Sequence, residues 1–275
     1  MIVVGFVALV VFGFWEVYLA RTPWMPWQFL SDRSIVGTCL LNMVYQISYY
    51  TWNIYFQSFL QVVFNVSVAE AGYINNTFSV VSGFLLFLVG WAIRRTGYYR
   101  WLFYIAVPLY TFTLGLMIHF RQPNGNIGYI IMCEIFISIG GACFILVCQL
   151  SVLAAVDHQH ASTAMSLLYV SGSVGGALGQ TISGAIWTNV FPTALARYLP
   201  ASQQENAMLI MGDLVTQLSF PVGSEERLAI QHAYGYGHSR MLAAGVAFSA
   251  LMFIFMFMIK NVNVKQLKQT KGVVF

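Results

Sequence analysis

Residues 35–61 read IVGTCLLNMVYQISYYTWNIYFQSFLQ, twenty-seven positions without one charged side chain. A hydrocarbon core about 30 Å thick is crossed by roughly 20 helical residues at 1.5 Å per residue, and in lipid only a helix satisfies every amide within its own segment. The stretch is therefore expected to span a bilayer, with length to spare for tilt. Working outward, six further stretches qualify if an acidic residue near an end or inside a span is allowed: about 1–19, 71–93, 101–119, 127–154, 162–189 and 241–259. The expected fold class is an all-α membrane protein with seven transmembrane helices.

Composition supports this. Of 275 residues, 59% are hydrophobic and 8% charged, about a third of the roughly 25% charge a soluble domain carries. A water-soluble enzyme, a nucleic-acid binder and a disordered regulator are thereby excluded. Cys39, Cys133, Cys143 and Cys148 all fall inside apolar runs, without ligand spacing, and read as small buried hydrophobes. The chain opens on an apolar run with neither a basic leader nor a cleavage site, so its start reads as the continuation of a larger polytopic protein.

Between spans, Arg21–Arg33 is rich in Pro and Trp, suited to a membrane interface. Asn65–Glu70 and Arg121–Asn126 are tight turns. The connection from about 190 to 240 is much longer, and its middle, Ala201–Leu218, reads as an amphipathic surface helix. If the first span runs inward, nine Lys and Arg lie inside (Arg21, Arg33, Arg94, Arg95, Arg100, Lys260, Lys265, Lys268, Lys271) and four outside (Arg121, Arg197, Arg227, Arg240). The positive-inside rule then predicts a cytoplasmic tail over 261–275 and an external loop over 190–240. Asn65-Val66-Ser67 falls outside as a glycosylation sequon close to the membrane.

Polar groups inside spans are costly and face a bundle interior or a wet cavity. Asn42, Gln46, Tyr50, Asn53, Gln57 and Gln61 recur every three or four residues, along one helical face, beside an aromatic stripe of Tyr45, Tyr49, Trp52 and Phe56. That ridge suits the wall of a cavity for a bulky polar solute; the same amides also serve as interhelical hydrogen bonds. Glu134, well inside the fifth span with Ser138 and Gln149 near its face, is either a proton-binding carboxyl or a structural one. Glu16 beside Arg21 reads as an interfacial ion pair. Asp157, His158 and His160 are too sparse for a metal site. Gly172, Gly175, Gly176, Gly179 and Ser183 form a small-residue stripe for close helix packing, with a sliding surface as the alternative. No nucleophile, zinc or phosphate-loop motif is present, so no enzyme activity, cofactor or metal is expected.

Several segments resemble the fungal siderophore-iron transporters of the major facilitator superfamily. They are Tyr50-Thr-Trp-Asn-Ile-Tyr-Phe-Gln-Ser-Phe-Leu-Gln-Val-Val63, Ala71-Gly-Tyr-Ile74, Gly90-Trp-Ala-Ile-Arg-Arg-Thr-Gly-Tyr-Tyr-Arg-Trp101 and Ala154-Ala-Val-Asp-His-Gln-His160, followed by Ala185-Ile-Trp-Thr188, Tyr198-Leu-Pro200, Gln217-Leu-Ser-Phe-Pro-Val-Gly223 and Ala233-Tyr-Gly235. The resemblance implies a fourteen-span transporter of which this chain supplies one linker helix with its inner connection (1–34) and the six-helix C-terminal bundle (35–260). It implies a ferric siderophore as substrate, protons as the coupling ion, a lipid bilayer and the missing N-terminal bundle as partners, and no nucleic acid. Gly90–Arg100 matches a degenerate inner-loop motif, departing from it at Arg94, where the better-formed copy is acidic. Asn53 stands where relatives can carry an acid, which leaves Glu134 as the proton-coupling candidate. Tyr45, Gln46, Tyr49, Tyr50, Asn53 and Gln57 become the substrate-binding set. Tyr234, Tyr236 and His238, alternating with Gly235 and Gly237, become a hinged gate in the external loop.

The expectation is thus proton-coupled import of ferric siderophores across a plasma or endosomal membrane, by part of a larger protein. A multidrug or toxin proton antiporter of the same superfamily, and an inactive or structural half-transporter, are the alternatives.

Overall fold

The computed structural model describes residues 2–20, 27–123 and 125–266. Pro23, Trp24 and Pro26 of the interfacial segment, Arg21 of the expected Glu16 pair, and Lys268 and Lys271 of the tail lie outside them. Among the described residues the regular structure is entirely helical. It comprises α1 (Ile2–Tyr18), α2 (Trp27–Ser31), α3 (Arg33–Asn53), α4 (Phe56–Phe64), α5 (Val68–Thr96), α6 (Arg100–Phe120), α7 (Ile127–Leu153), α8 (Ala161–Tyr198), α9 (Ala207–Gly212), α10 (Leu214–Ser219) and α11 (Glu225–Met258). Four of these, α5, α6, α7 and α11, are long and apolar enough to cross a membrane. The described side chains of α1 are exposed apart from Glu16, whereas α3, α6, α7, α8 and α11 pack around one apolar core.

Helix ends sit where local chemistry stops them. Ser67 and Glu70 form a reciprocal capping box at the start of α5: Glu70 N donates to Ser67 Oγ at 3.2 Å and Ser67 N to Glu70 Oε2 at 2.8 Å. Asn65 closes α4 and Gly97 closes α5, both in the left-handed region. Asn126 and Ser224 cap α7 and α11. Alternate helices therefore return to two ends. One, the loop end, carries 65–67, 121–126 and 199–224; the other, the tail end, carries 97–99, 154–160 and 259–266.

The helices are tied to one another by small hydroxyls. Thr38 Oγ1 and Ser151 Oγ are 3.0 Å apart, Ser48 Oγ donates to the Gly245 carbonyl at 2.8 Å, and Tyr110 OH donates to Ser48 Oγ at 3.3 Å. The closest approach is that of α8 to α3. A Cβ at Gly179 would stand 2.6 Å from the Ile47 carbonyl oxygen, and one at Gly175 would collide with the Met43 carbonyl. At Gly175 and Gly179 the glycine stripe is a backbone-to-backbone seam, while Gly172 and Gly176 face the Asn42 and Tyr50 side chains.

Three boundaries differ from the sequence reading. The expected 35–61 span is broken after Asn53, because Tyr55 leaves helical geometry (φ −96°, ψ 9°) and stacks flat on Trp187, ring centroids 4.4 Å apart. The long connection is shorter than expected. The helix α8 runs past Pro192 to Tyr198 since Phe191, Ala194 and Leu195 continue its buried face, and α11 begins at Glu225, leaving 199–224 between. The expected surface helix over 201–218 is split into α9 and α10 at Asp213, whose carboxylate caps α10 through Val215 N (3.2 Å) and Thr216 N (3.0 Å). The Thr216 hydroxyl and the two amides hold the Asp213 carboxyl below its ordinary pKa.

At the tail end, Lys260 pairs with Asp32, which also caps α3 through Ser34 N at 2.7 Å. Val264 N donates to the Gly97 carbonyl at 2.8 Å and Lys265 Nζ to the Arg95 carbonyl at 2.8 Å. The described start of the tail is thus bound to the ends of α3 and α5.

A candidate solute cleft and a buried charge cluster

A cleft of about 420 Å³ opens between α3, α7 and α8. Asn42, Gln46 and Tyr50 form its α3 wall, Phe144, Cys148 and Gln149 its α7 wall, and Tyr169, Ser173 and Gln180 its α8 wall. Asn42 Nδ2 donates to the Leu168 carbonyl at 3.0 Å, which leaves the amide oxygen as an acceptor, and Gln149 Nε2 donates to Tyr169 OH at 3.3 Å. None of the lining residues carries a formal charge. Such a wall offers amide and phenol hydrogen bonds beside aromatic faces, which is suited to a large, nearly neutral, oxygen-rich guest.

The structure divides the expected binding set. Gln46 and Tyr50 line the cleft. Tyr45 does not: it is sealed in the core between Phe144 (4.6 Å) and Tyr110 (5.4 Å). Tyr49 packs among Trp52, Tyr50 and Phe78. Asn53 turns to α5, donating to Asn75 Oδ1 at 3.2 Å. Gln57 lies beyond the break on α4, where its carbonyl accepts from Gln61 Nε2 at 3.3 Å. A face read as continuous over 42–61 ends at 53 because the helix does. Tyr169, Ser173 and Gln180 were missed; their spacing of four and seven on the α8 face flanking the glycines is the signal that marks them.

Glu134 is fully buried and lies away from this wall, in a second assembly. Arg121, expected in the outer turn that follows α6, is 0% exposed. Its guanidinium turns inward from the end of α6 to stand 3.8 Å from Glu134 Oε1, and its Nη1 lies 3.4 Å from His238 Nδ1. The same cation rests on three rings, 4.1 Å from the centroid of Phe56, 4.9 Å from Trp52 and 5.5 Å from Phe59. The ring of Phe59 packs 4.6 Å from that of His238.

The three gate residues do not form one group and do not lie in a loop. Tyr234, Tyr236 and His238 are all inside α11. Gly235 and Gly237 leave that helix unbroken, the first packing against Pro123 and the second facing the Trp187 ring. Tyr234 and His238, one turn apart, face inward, while Tyr236 faces outward under Arg240, whose Nη2 donates to its hydroxyl at 3.0 Å. Tyr234 OH donates to Gln217 Oε1 at 2.8 Å, and Gln217 Nε2 to the Ile210 carbonyl at 2.8 Å. Arg227, expected in the external loop, lies in the first turn of α11 and is buried: it donates to the carbonyls of Gln217 (2.6 Å) and Gln61 (3.4 Å). Gln231 Nε2 donates to those of Val62 (3.2 Å) and Val63 (3.1 Å). These carbonyls at the end of α4 have no helical partner, so α11 docks both the end of α4 and the 199–224 segment.

The long apolar helices of the bundle, with an uncharged polar cleft among them, define an all-helical integral membrane protein. The model of the Major Facilitator Superfamily matches residues 1–179, and the chain belongs to that superfamily. It is 61% identical over 275 residues to the siderophore iron transporter mirB of Emericella nidulans, covering 100% of this chain and 46% of that protein. Identity is 61% over 274 residues to the MFS siderochrome iron transporter 1 of Gibberella zeae, at 100% and 45% coverage. With siderophore iron transporter 1 of Schizosaccharomyces pombe it is 32%, at 98% and 44%. The chain spans a little under half the length of these relatives. In fold it is similar to a bacterial homolog of the human lysosomal transporter Spinster in an inward-facing, occupied conformation, with a TM-score of 0.59 and 18% identity over 84% of this chain and 50% of that one.

Proposed function

We propose that this chain is the C-terminal part of a proton-coupled importer of ferric siderophores that works by alternating access. The observation that carries the reading is the charge-free cleft lined by Asn42, Gln46, Tyr50, Gln149, Tyr169 and Gln180, in a chain 61% identical to a transporter named for siderophore iron. A ferric hydroxamate is bulky, nearly neutral and rich in oxygen acceptors. Amide donors and aromatic faces recognise it without paying the desolvation of fixed charges.

Superfamily transporters hold substrate near the midplane between two bundles, so the cleft is one half of the site, and the missing N-terminal bundle supplies the other. In this reading α1 is a linker span and α3 to α11 supply six more, for seven in all. The tail end, with Arg94, Arg95, Arg100, Lys260 and Lys265, faces the cytoplasm, in a plasma or endosomal membrane. Glu134 is the proton-coupling group, and the inward-facing pair Tyr234 and His238 closes the outer end of the bundle.

The test joins this chain to the N-terminal part of the Emericella nidulans relative in a yeast strain stripped of its own siderophore importers, and follows radioiron-labelled siderophore. Uptake that falls at least about tenfold in Gln46→Ala/Tyr50→Ala supports the reading, that factor corresponding to the loss of one or two good polar contacts. Drug resistance without uptake overturns it in favour of the antiporter.

A further inference from the structure

A second cleft, of about 530 Å³, lies at the tail end between α5, α7 and the start of the tail, within the roughly 300–1,000 Å³ of small-ligand sites. Its trough is apolar: Gly90 and Ile93 come from α5, Leu146 and Leu150 from α7, and Val264 from the tail. The polar side chains that line it are both cations, Arg94 and Lys265. It shares no residue with the solute cleft, which uses Ile145, Cys148 and Gln149 on another face of α7.

Local geometry holds this trough open. Gly90 carries no side chain, and a Cβ there would just touch Leu146 Cδ2, at 3.8 Å; anything longer would occupy the space. Val264 N donates to the Gly97 carbonyl and Lys265 Nζ to the Arg95 carbonyl, which fixes the tail as the third wall. That bond engages one of the three ammonium donors of Lys265 and leaves two. Arg94 is exposed, and its guanidinium makes no hydrogen bond or ion pair among the described residues. The ion pairs among them are Arg121–Glu134 and Lys260–Asp32. The rim of the trough is thus a pair of cations without a carboxylate.

These groups define the chemistry of an occupant. A solute recognised by hydroxyls or amides finds no uncharged polar side chain here, whereas an anion with a long apolar tail satisfies both the rim and the trough. Apolar surface continues along α5 away from the tail end, where Phe87, one turn before Gly90, is 79% exposed. Beside Gly90, Trp91 is 60% exposed, with the Arg95 guanidinium 5.5 Å from its ring centroid. Exposed indoles of a spanning helix sit at the level of lipid headgroups. Basic pockets between such helices bind anionic headgroups, and a guanidinium matches phosphate oxygens with two parallel N–H donors.

We propose that the α5–α7 cleft binds one anionic phospholipid from the leaflet at the tail end, with its phosphate between Arg94 and Lys265 and an acyl chain along Gly90, Leu146 and Leu150. The lipid bridges α5 to the tail and so strengthens the attachment of residues 259–266. The site is independent of the solute and of the coupling ion.

The test is native mass spectrometry of the purified chain titrated with dioleoyl phosphatidylserine or with dioleoyl phosphatidylcholine, whose phosphate is neutralised by its choline. The expected result is one phosphatidylserine adduct, at least about tenfold tighter than phosphatidylcholine, and amide exchange at 259–266 slowed by phosphatidylserine alone. Arg94→Gln/Lys265→Gln removes the preference. Gly90→Leu fills the trough and weakens the adduct with both charges in place; the exposed cation pair keeps the result readable should the leucine disturb packing. Arg100→Gln leaves binding unchanged, because that cation serves the Tyr104 ring and the Phe257 carbonyl. Equal affinity for the two lipids, or an equal loss in Arg100→Gln, overturns the site in favour of diffuse surface attraction. Displacement of the lipid by soluble glycerophosphoserine at equal concentration reveals a phosphate site without a lipid and also overturns it. Loss of the adduct when the chain is joined to the N-terminal part of the Emericella nidulans relative overturns it too, since the other bundle then covers this face.

Discussion

Arg227 on α11 donates from Nη1 to the main-chain carbonyl of Gln217 at 2.6 Å, so a buried cation belonging to a long helix holds the segment that precedes it. The other end of the same guanidinium reaches the Gln61 carbonyl on α4. One side chain thus fixes a connecting segment and a helix end together.

Arg227→Ala is expected to leave the Gln217 and Gln61 carbonyls without this donor, at a cost of about 1–3 kcal/mol. The 199–224 segment should then be cut by protease several-fold faster than in the native chain, while α6 and α7 remain protected. Equal cleavage rates would show that the segment is held by its apolar contacts instead.

Tyr45 and Gln46 are neighbours in sequence with opposite roles. Tyr45→Ala empties a site between Phe144 and Tyr110 and should cost about 3–5 kcal/mol, read as a fall in thermal stability in detergent. Gln46→Ala removes a cleft donor and should change stability by within about 0.5 kcal/mol while, on the proposed function, weakening siderophore binding.

The seam between α8 and α3 tolerates no added atoms. Gly175→Val drives a side chain into the Met43 carbonyl and should destabilise the bundle by about 1–3 kcal/mol or more, seen as loss of the monodisperse peak in size-exclusion chromatography. Gly184→Ala, at a position open on all sides, is the control and should be neutral.

The Asp32–Lys260 clamp carries a pH signature. Partial burial pushes the Asp32 carboxyl up, but the hydrogen bond from Lys260 and the amide of Ser34 outweigh it and hold the group below its ordinary value of 3.8. A depressed carboxyl contributes stability above its unfolded pKa and loses it as pH falls through the lower folded one. Attachment of the tail end should therefore be constant from neutral pH down to about 4 and weaken below that. Asp32→Asn should remove this pH step, measured by exchange of the amides at 259–266.

Much of this was legible in the order of residues, because a bilayer imposes length and polarity on any helix that crosses it. The runs at 71–93, 101–119 and 127–154 coincide closely with α5, α6 and α7, and Gly175 and Gly179 of α8 face another backbone as their spacing requires. The α3 break was not legible: Ile54 and Tyr55 are ordinary helix residues, and the interruption depends on Trp187, more than 130 positions away. The burial of Arg121 and Arg227 was not legible for a related reason. The order of residues places both in connections, and only the folded arrangement supplies the rings and orphaned carbonyls that draw them inside. The cleft was half legible, since α3 carries dense amides whereas α8 contributes Tyr169 and Gln180 among small residues whose first duty is packing.

Where two main chains touch with no side chain between them, neither can advance without a clash or draw back without losing the contact. Gly175 and Gly179 thus lock α8 against α3 directly beside Gly172 and Gly176, which line the cleft, so the spacing of those two walls is fixed. The width of the cleft is set, on this side, by the absence of a methyl group.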